Sequence, residues 1–364
     1  RLSLVGSEMC IRDRYCFTDS GPELRAINVI VLDETDRLWA ATDGWGLTMY
    51  DGQNWHNWQP ENSDLREDAI RGLAVTNDRV YAGVTSSSTG GGVSIYDIKR
   101  NQWTNYWPEE SELSGGGVRS IVVAPDGRVY LPTAAGVLDI YDHETWEHIV
   151  IPPLPADEFD EFQNARNVTV KESLFDGKGH LWLAADNFGV LEYDGNEWHT
   201  YPTPGGANAL ALDPDGRLWF GTHYGLGVRD LDGSWYHYTG EALPIGGHTV
   251  FDIAVDSEGR VWALGPVLGV FNGQEWQTFT PDVVGSRGWG GSLDFDQYGR
   301  LWIDVSSGIA MYQGEVGIGP FVELVDPPPM EDTQIVATHG MQFDRFLLLL
   351  SLIHISEPTR LRRI

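Results

Sequence analysis

Short runs rich in β-branched and aromatic residues, each closed by a tight polar turn, fill this chain from Ile27 onward. The first set reads Ile27 to Asp33, Arg37 to Thr42, Gly46 to Tyr50 and Trp55 to Trp58, and every run has the length and composition of a strand. The turn Asp33-Glu-Thr-Asp36 joins the first two runs and recurs as Pro125-Asp-Gly127, Asp213-Pro-Asp-Gly216 and Asp256-Ser-Glu-Gly259. Tyr50-Asp-Gly52 joins the last two and recurs as Tyr193-Asp-Gly195, Asp232-Gly233 and Asn272-Gly273. Asp-Gly and Asn-Gly suit two-residue hairpin turns, which need positive φ, so the four strands are predicted to run up and down as a meander.

An aromatic residue in the second run marks each set. Trp39, Tyr81, Tyr130, Trp182, Trp219, Trp262 and Trp302 stand at spacings of 42, 49, 52, 37, 43 and 40 residues. A self-similar period of this size signals stacked copies of one supersecondary unit. No set holds a helical stretch able to cover its sheet, so both faces must be buried against neighbouring sheets, which radial packing achieves. The predicted fold is all-β, a seven-bladed β-propeller of four-stranded antiparallel blades over residues 15–322. The marker aromatics then act as inter-blade filler, and Ala40-Ala41, Ala184-Ala185 and Gly221 beside them let the sheets approach closely.

The two ends read differently. Leu4 to Arg14 and Leu350 to Arg360 can be encoded by opposite strands of one oligonucleotide, as translated sequencing adapter would be. Residues 1–14 and 350–364 are therefore expected to be adapter-derived, the chain to be a fragment of a longer protein, and fold reasoning to exclude both segments. Residues 323–349, with Leu324-Val-Asp-Pro-Pro-Pro329 near their start, read as an exit linker and tail, since Pro blocks ladder hydrogen bonds. Phe17 to Leu24 matches the end of a fourth strand, whereas Gly317 stands where Trp55, Trp198 and Trp276 stand elsewhere. The N-terminal segment is accordingly expected to complete the seventh blade, the alternative being the end of an upstream repeat cut by the adapter, since Arg14 occupies the position of its Trp. Cys16 is left alone once Cys10 is set aside, so no intrachain disulfide is expected.

Charge narrows the partners. The formal net charge is -29, and about -32 without the adapter residues. Nucleic acid and anionic membrane surfaces are poor partners for such a field. Membrane attachment is expected only through flanking segments, because Phe346 to Leu349 is far short of the roughly 20 residues of a spanning helix.

The succession Gly-Arg-Leu-Trp, as at Gly216 to Trp219, then a small residue, Thr, a Gly-rich loop, Tyr-Asp-Gly and Trp resembles the two-component-regulator propeller repeat. The resemblance covers roughly residues 15–322. It implies the sensor region of a membrane-bound bacterial histidine kinase, hence an extracytoplasmic location, periplasmic or cell-surface, and a non-catalytic ligand- or protein-binding role. The alternative is a propeller enzyme of the lactonase, esterase or streptogramin-lyase type, since Gly216 to Phe220 also looks like a lyase motif. No Gly-x-Ser-x-Gly elbow, phosphate loop or His-Glu-x-x-His motif is present, and no cofactor, metal or catalytic residue is assigned.

In a propeller the first strand of each blade lines the central channel. Alignment on the marker places Asn28, Arg71, Arg119, Lys171, Asn208, Asp252 and Ser292 near the start of those strands. Three are basic in a chain poor in basic residues, and a ring of Arg and Lys would bind a small carboxylate or phosphate through charge-assisted hydrogen bonds. Loops on the same face carry Trp45, Trp107, Phe188, His223, Tyr224 and Trp289, candidates for an exposed recognition rim. The insertion Ile151 to Phe162, with four acids and two Phe, is a candidate lid or contact arm.

Overall fold

A computed structural model of the chain describes residues 26–86, 90–152, 168–186, 188–246, 249–281, 289–305, 308–312 and 321–324, the last of these by backbone alone. Seven four-stranded antiparallel sheets follow one another, each with its strands side by side in chain order. Their innermost strands are Ile27–Leu32, Ile70–Val75, Val122–Val123, Thr169–Phe175, Ala209–Leu212, Asp252–Val255 and Trp289–Phe295, and blades 1 to 7 take that order. The fold is a seven-bladed β-propeller. Among the described residues the one helical element is a 3-10 turn at Gly240–Ala242.

The first hairpin of most blades is built around a carboxylate. In blade 5 Asp213 Oδ1 accepts the backbone N–H groups of Asp215 at 3.1 Å and Arg217 at 2.9 Å. Its Oδ2 accepts Arg217 Nε at 2.6 Å and the Trp219 indole N–H at 3.0 Å. Gly216, with φ at +88°, completes the turn. Asp33 with Trp39, Asp256 with Trp262 and Asp296 with Trp302 repeat the arrangement. Asp176 holds Trp182 in the same way, with His180 at the arginine position. Blade 3 has Ala124 and Tyr130 at the two positions, and blade 2 has a shorter turn with Thr76 and Tyr81. Carboxylate and indole are thus kept or lost together within one chain. Burial alone would raise the Asp33 carboxyl, but hydrogen bonds from Trp39, Thr35 and Arg37 outweigh it and hold the group below its ordinary value.

Each anchored ring fills the seam with the next blade. Trp39 lies in the core between blades 1 and 2, Tyr81 between 2 and 3, Tyr130 between 3 and 4, and Trp182 between 4 and 5. Trp219, Trp262 and Trp302 continue the series through the seam between blades 7 and 1. None is more than 7% exposed, so the markers are inter-blade filler as the sequence predicted. Trp39, Trp182, Trp219 and Trp262 also stack on the outer-strand rings of Trp58, Tyr201, Tyr238 and Phe279. Gly221 is required by the close approach, since a Cβ there would lie 2.7 Å from Val250 Cγ1.

The last seam joins Ile30, Leu38 and Ala40 of blade 1 to Trp302, Ile309 and Met311 of blade 7. The outer strand of blade 7 is Phe321–Leu324, not the N-terminal segment expected from the sequence, and Phe17 to Leu24 lie outside the described residues. Phe321 pairs with Tyr312 as Trp55 pairs with Tyr50 and Trp198 with Tyr193. The partners are further apart in sequence in blade 7 than in the other blades, so fixed spacing pointed to Gly317 instead. The blade therefore runs to Leu324, past the expected boundary at 322.

Replacing Asp213 by Ala strands a buried indole N–H and a guanidinium, which is expected to lower stability by about 3 kcal/mol in urea unfolding. Arg217→Ala, at a side chain 36% exposed, is expected to cost about 1 kcal/mol. Equal losses would show that the carboxylate acts only through its ion pair.

Candidate functional site

The inner strands converge on a channel cavity of about 560 Å³. In blades 1, 2 and 4 the ladder skips Asn28, Arg71 and Lys171, which bulge out of the inner strand. A bulge re-aims its side chain, and these three sit towards the channel mouth. Arg119 in blade 3 and Asn208 in blade 5 stand at the same register from their markers. In blades 6 and 7 that register belongs to Phe251 and Gly291. Asp252 and Ser292, grouped with the others on the sequence, are one residue deeper, because alignment near the strand start tolerates a slip of one. Asn28, Arg119, Lys171, Asn208, Asp252 and Ser292 line the cavity. Arg71 lines an adjoining pocket of about 700 Å³ that also includes Arg119.

Two of the three basic residues are paired within the protein. Arg71 Nη2 lies 2.7 Å from Asp43 Oδ2, and Lys171 Nζ lies 3.2 Å from Asp186 Oδ2. Arg119 stands between these pairs, and among the described residues no carboxylate lies within ion-pair distance of it. Burial and then repulsion from Arg71 depress its pKa, although a guanidinium stays protonated. The mouth therefore offers one half-buried cation whose donors are left to solvent.

At and below the mouth, polar side chains of blades 1, 4, 5, 6 and 7 reach the backbone of the next blade. Asn28 Nδ2 donates to Ile70 O at 2.8 Å and Asn208 Nδ2 to Val250 O at 3.3 Å. Glu172 Oε2 accepts Leu210 N–H at 2.7 Å, Asp252 Oδ2 accepts Leu293 N–H at 2.9 Å, and Asp294 Oδ2 accepts Leu32 N–H at 2.9 Å. Ser292 Oγ accepts Ile30 N–H at 3.2 Å, and Asp304 accepts Ser292 and Gly291 N–H at 2.9 and 3.0 Å. Sequence reasoning missed Glu172, Asp294 and Asp304. The signal was available for two of them. Asp294 takes a register held by Val31, Ala74 and Leu174 in other blades, and Asp304 one held by Ala41, Ala184 and Gly221.

Burial raises all four carboxyls: Asp252 to about 7, Asp294 and Asp304 to about 6, and Glu172 well above its ordinary value. Glu172 is further raised by Asp252 and Asp294, and Asp252 by Asp294 and Asp304. The cavity is thus basic at its mouth and acidic in its throat.

The expected aromatic rim is not one surface. Trp45 is 39% and Tyr224 57% exposed, on blades 1 and 5, and His223 lies 3.3 Å from Asp186 Oδ1. Trp107 and Phe188, expected to be exposed, are buried. Trp107 fills the seam between blades 1 and 2 beneath the Arg66 guanidinium, 4.5 Å from the ring, and Phe188 fills the seam between blades 3 and 4. Each loop turns its ring into the end of a seam, where removal from water stabilises it. The Trp289 side chain and most of the Ile151 to Phe162 insertion lie outside the described residues. Among the described residues no three His, Cys, Asp or Glu side chains are grouped as a metal would require, and no helix is long and apolar enough to cross a membrane.

Residues 203–224 match the two component regulator propeller repeat. No curated protein matches the chain. Among solved structures, the extracellular domain of the hybrid two component system BT4673 from B. thetaiotaomicron is 18% identical, with 84% of this chain and 47% of that chain covered and a TM-score of 0.48. The chain thus spans about half the length of that protein's domain. Virginiamycin B lyase from Staphylococcus aureus is 15% identical, with 69% and 83% covered and a TM-score of 0.53. YCF48 bound to D1 peptide is 15% identical, with 81% and 97% covered and a TM-score of 0.59. The last two likenesses establish the propeller fold.

The throat carboxyls make stability depend on pH in one direction. Each binds its proton more tightly folded than unfolded, so its penalty is absent below the unfolded value of about 4. For Asp252 the penalty is complete above the folded value of about 7. The melting temperature is expected to fall between about pH 5 and pH 8, and Asp252→Asn to flatten the fall. A variant with the wild-type slope would show that Asp252 does not titrate in this range.

Proposed function

We propose that this propeller is a non-catalytic binding module, the extracytoplasmic sensor or scaffold part of a larger bacterial protein, which captures a small anion or an anionic group of a partner at one mouth of the ring. The observation that carries the reading is Arg119, a half-buried guanidinium with two neighbouring cations already paired and, among the described residues, no carboxylate of its own. A carboxylate or phosphate entering there would accept charge-assisted hydrogen bonds and offset the repulsion between Arg71 and Arg119. Seven apolar seams make the ring stiff, so capture would be passed on through the flanks rather than by closure of the blades. The two component regulator propeller repeat at residues 203–224 supports the sensor assignment.

Calorimetric titration of the chain with acetate and with inorganic phosphate is expected to show binding that Arg119→Ala weakens at least tenfold. The triple change Arg71→Ala, Arg119→Ala, Lys171→Ala is expected to abolish it. Equal affinity in wild type and triple variant removes the site. Hydrolysis of lactones or esters by the chain with an added divalent metal would overturn the non-catalytic assignment in favour of a propeller enzyme.

A further inference from the structure

The channel cavity is not merely basic. Arg119 and Lys171 lie along its mouth, while Glu172, Asp252 and Asp294 line the same space from blades 4, 6 and 7. Phe251, at the mouth register of blade 6, leaves 41% of its surface exposed and lines that cavity. One space therefore presents a cation unpaired among the described residues, a set of mutually repelling carboxylates and an exposed aromatic ring.

We infer that the cavity binds a zwitterion of the α-amino acid type with an apolar side chain. Its carboxylate meets Arg119, its ammonium meets the throat carboxylates around Asp252, and its side chain covers Phe251. This rests on the proposed capture of an anion at Arg119 and adds the remaining two points of recognition. The charge argument is independent of the mouth. Glu172, Asp252 and Asp294 each already accept one N–H from the following blade, yet each oxygen retains a lone pair. A cation among them offsets their repulsion, and beside carboxyls desolvated by burial such an interaction is stronger than in bulk solvent. A purely anionic ligand would feel that repulsion and gain nothing from the throat. The apolar side chain is argued from Phe251, because an exposed ring inside a cavity gains by being covered. A cavity of about 560 Å³ falls within the range of small-molecule sites.

Three probes separate the points of recognition: L-leucine carries both charges, N-acetyl-L-leucine only the carboxylate, and L-leucinamide only the ammonium. Titrated into the chain at about pH 8, leucine is expected to bind at least tenfold more tightly than either analogue. Asp252→Asn, which keeps an oxygen to accept Leu293 N–H, is expected to weaken leucine at least tenfold while changing N-acetyl-leucine less than twofold. A thermal melt of the variant establishes that it is folded. If N-acetyl-leucine binds as tightly as leucine and is lost in Arg119→Ala, the anion site stands and the zwitterion inference fails. If leucinamide binds as tightly as leucine and Arg119→Ala has no effect, the inference fails with the anion site. If no probe binds, the zwitterion inference fails, and the acetate and phosphate titrations decide the anion site separately.

Discussion

Five of the seven blades hang on a carboxylate shielded from water. Asp213 and its counterparts accept the turn's N–H groups on one oxygen and an indole N–H on the other, so hairpin shape and ring orientation are set by one group. Without that anchor the indole would have a buried polar atom and no partner inside the sheet. With it, the ring is held in the seam with the next blade and contributes to its apolar core. A sheet exposed on both faces has no other route to stability in a chain almost without helix. The ring is therefore the sum of seven local solutions, each of which leans on its neighbour.

Closing the ring creates a second problem at its centre. The innermost strands are edge strands, and their outward N–H and C=O groups would be left unpaired along a narrow channel. Asn28, Asn208, Ser292, Glu172, Asp252 and Asp294 bridge this gap by reaching across to the next blade's backbone. Three of these bridges are carboxylates, and crowding them in one channel raises their affinity for protons. The structure accepts electrostatic strain in the throat in exchange for a satisfied inner edge. That strain is also what makes the throat receptive to a cation.

Most of the architecture was legible in the sequence because period, turn chemistry and the marker aromatic report the same unit independently. The pairing of Asp33 with Trp39 was equally legible, as an Asp six residues before every marker Trp. What the sequence could not supply was depth. Asn28 and Lys171 face the channel, and Arg71 the adjoining pocket, because a bulge turns them, whereas Asp252 and Ser292 are one rung further in, and a one-residue slip on an inner strand changes mouth into throat. Exposure was misjudged at Trp107 and Phe188 for a related reason. A loop's position on one face does not determine whether its ring points to solvent or into the seam below.

A stiff ring constrains how such a site can report occupancy. Hinge closure needs two bodies that move apart, and here every blade shares a core with both neighbours. The cavity instead holds a gradient of charge, with cations on blades 2, 3 and 4, of which Arg71 and Lys171 are paired, and acids behind them on blades 4, 6 and 7. A ligand that neutralises both ends would strengthen the inter-blade bridges it touches, since Glu172 and Asp252 are themselves such bridges. Occupancy would then appear as added rigidity of the ring rather than as displacement. A rigid scaffold can transmit that change to whatever is attached to its ends.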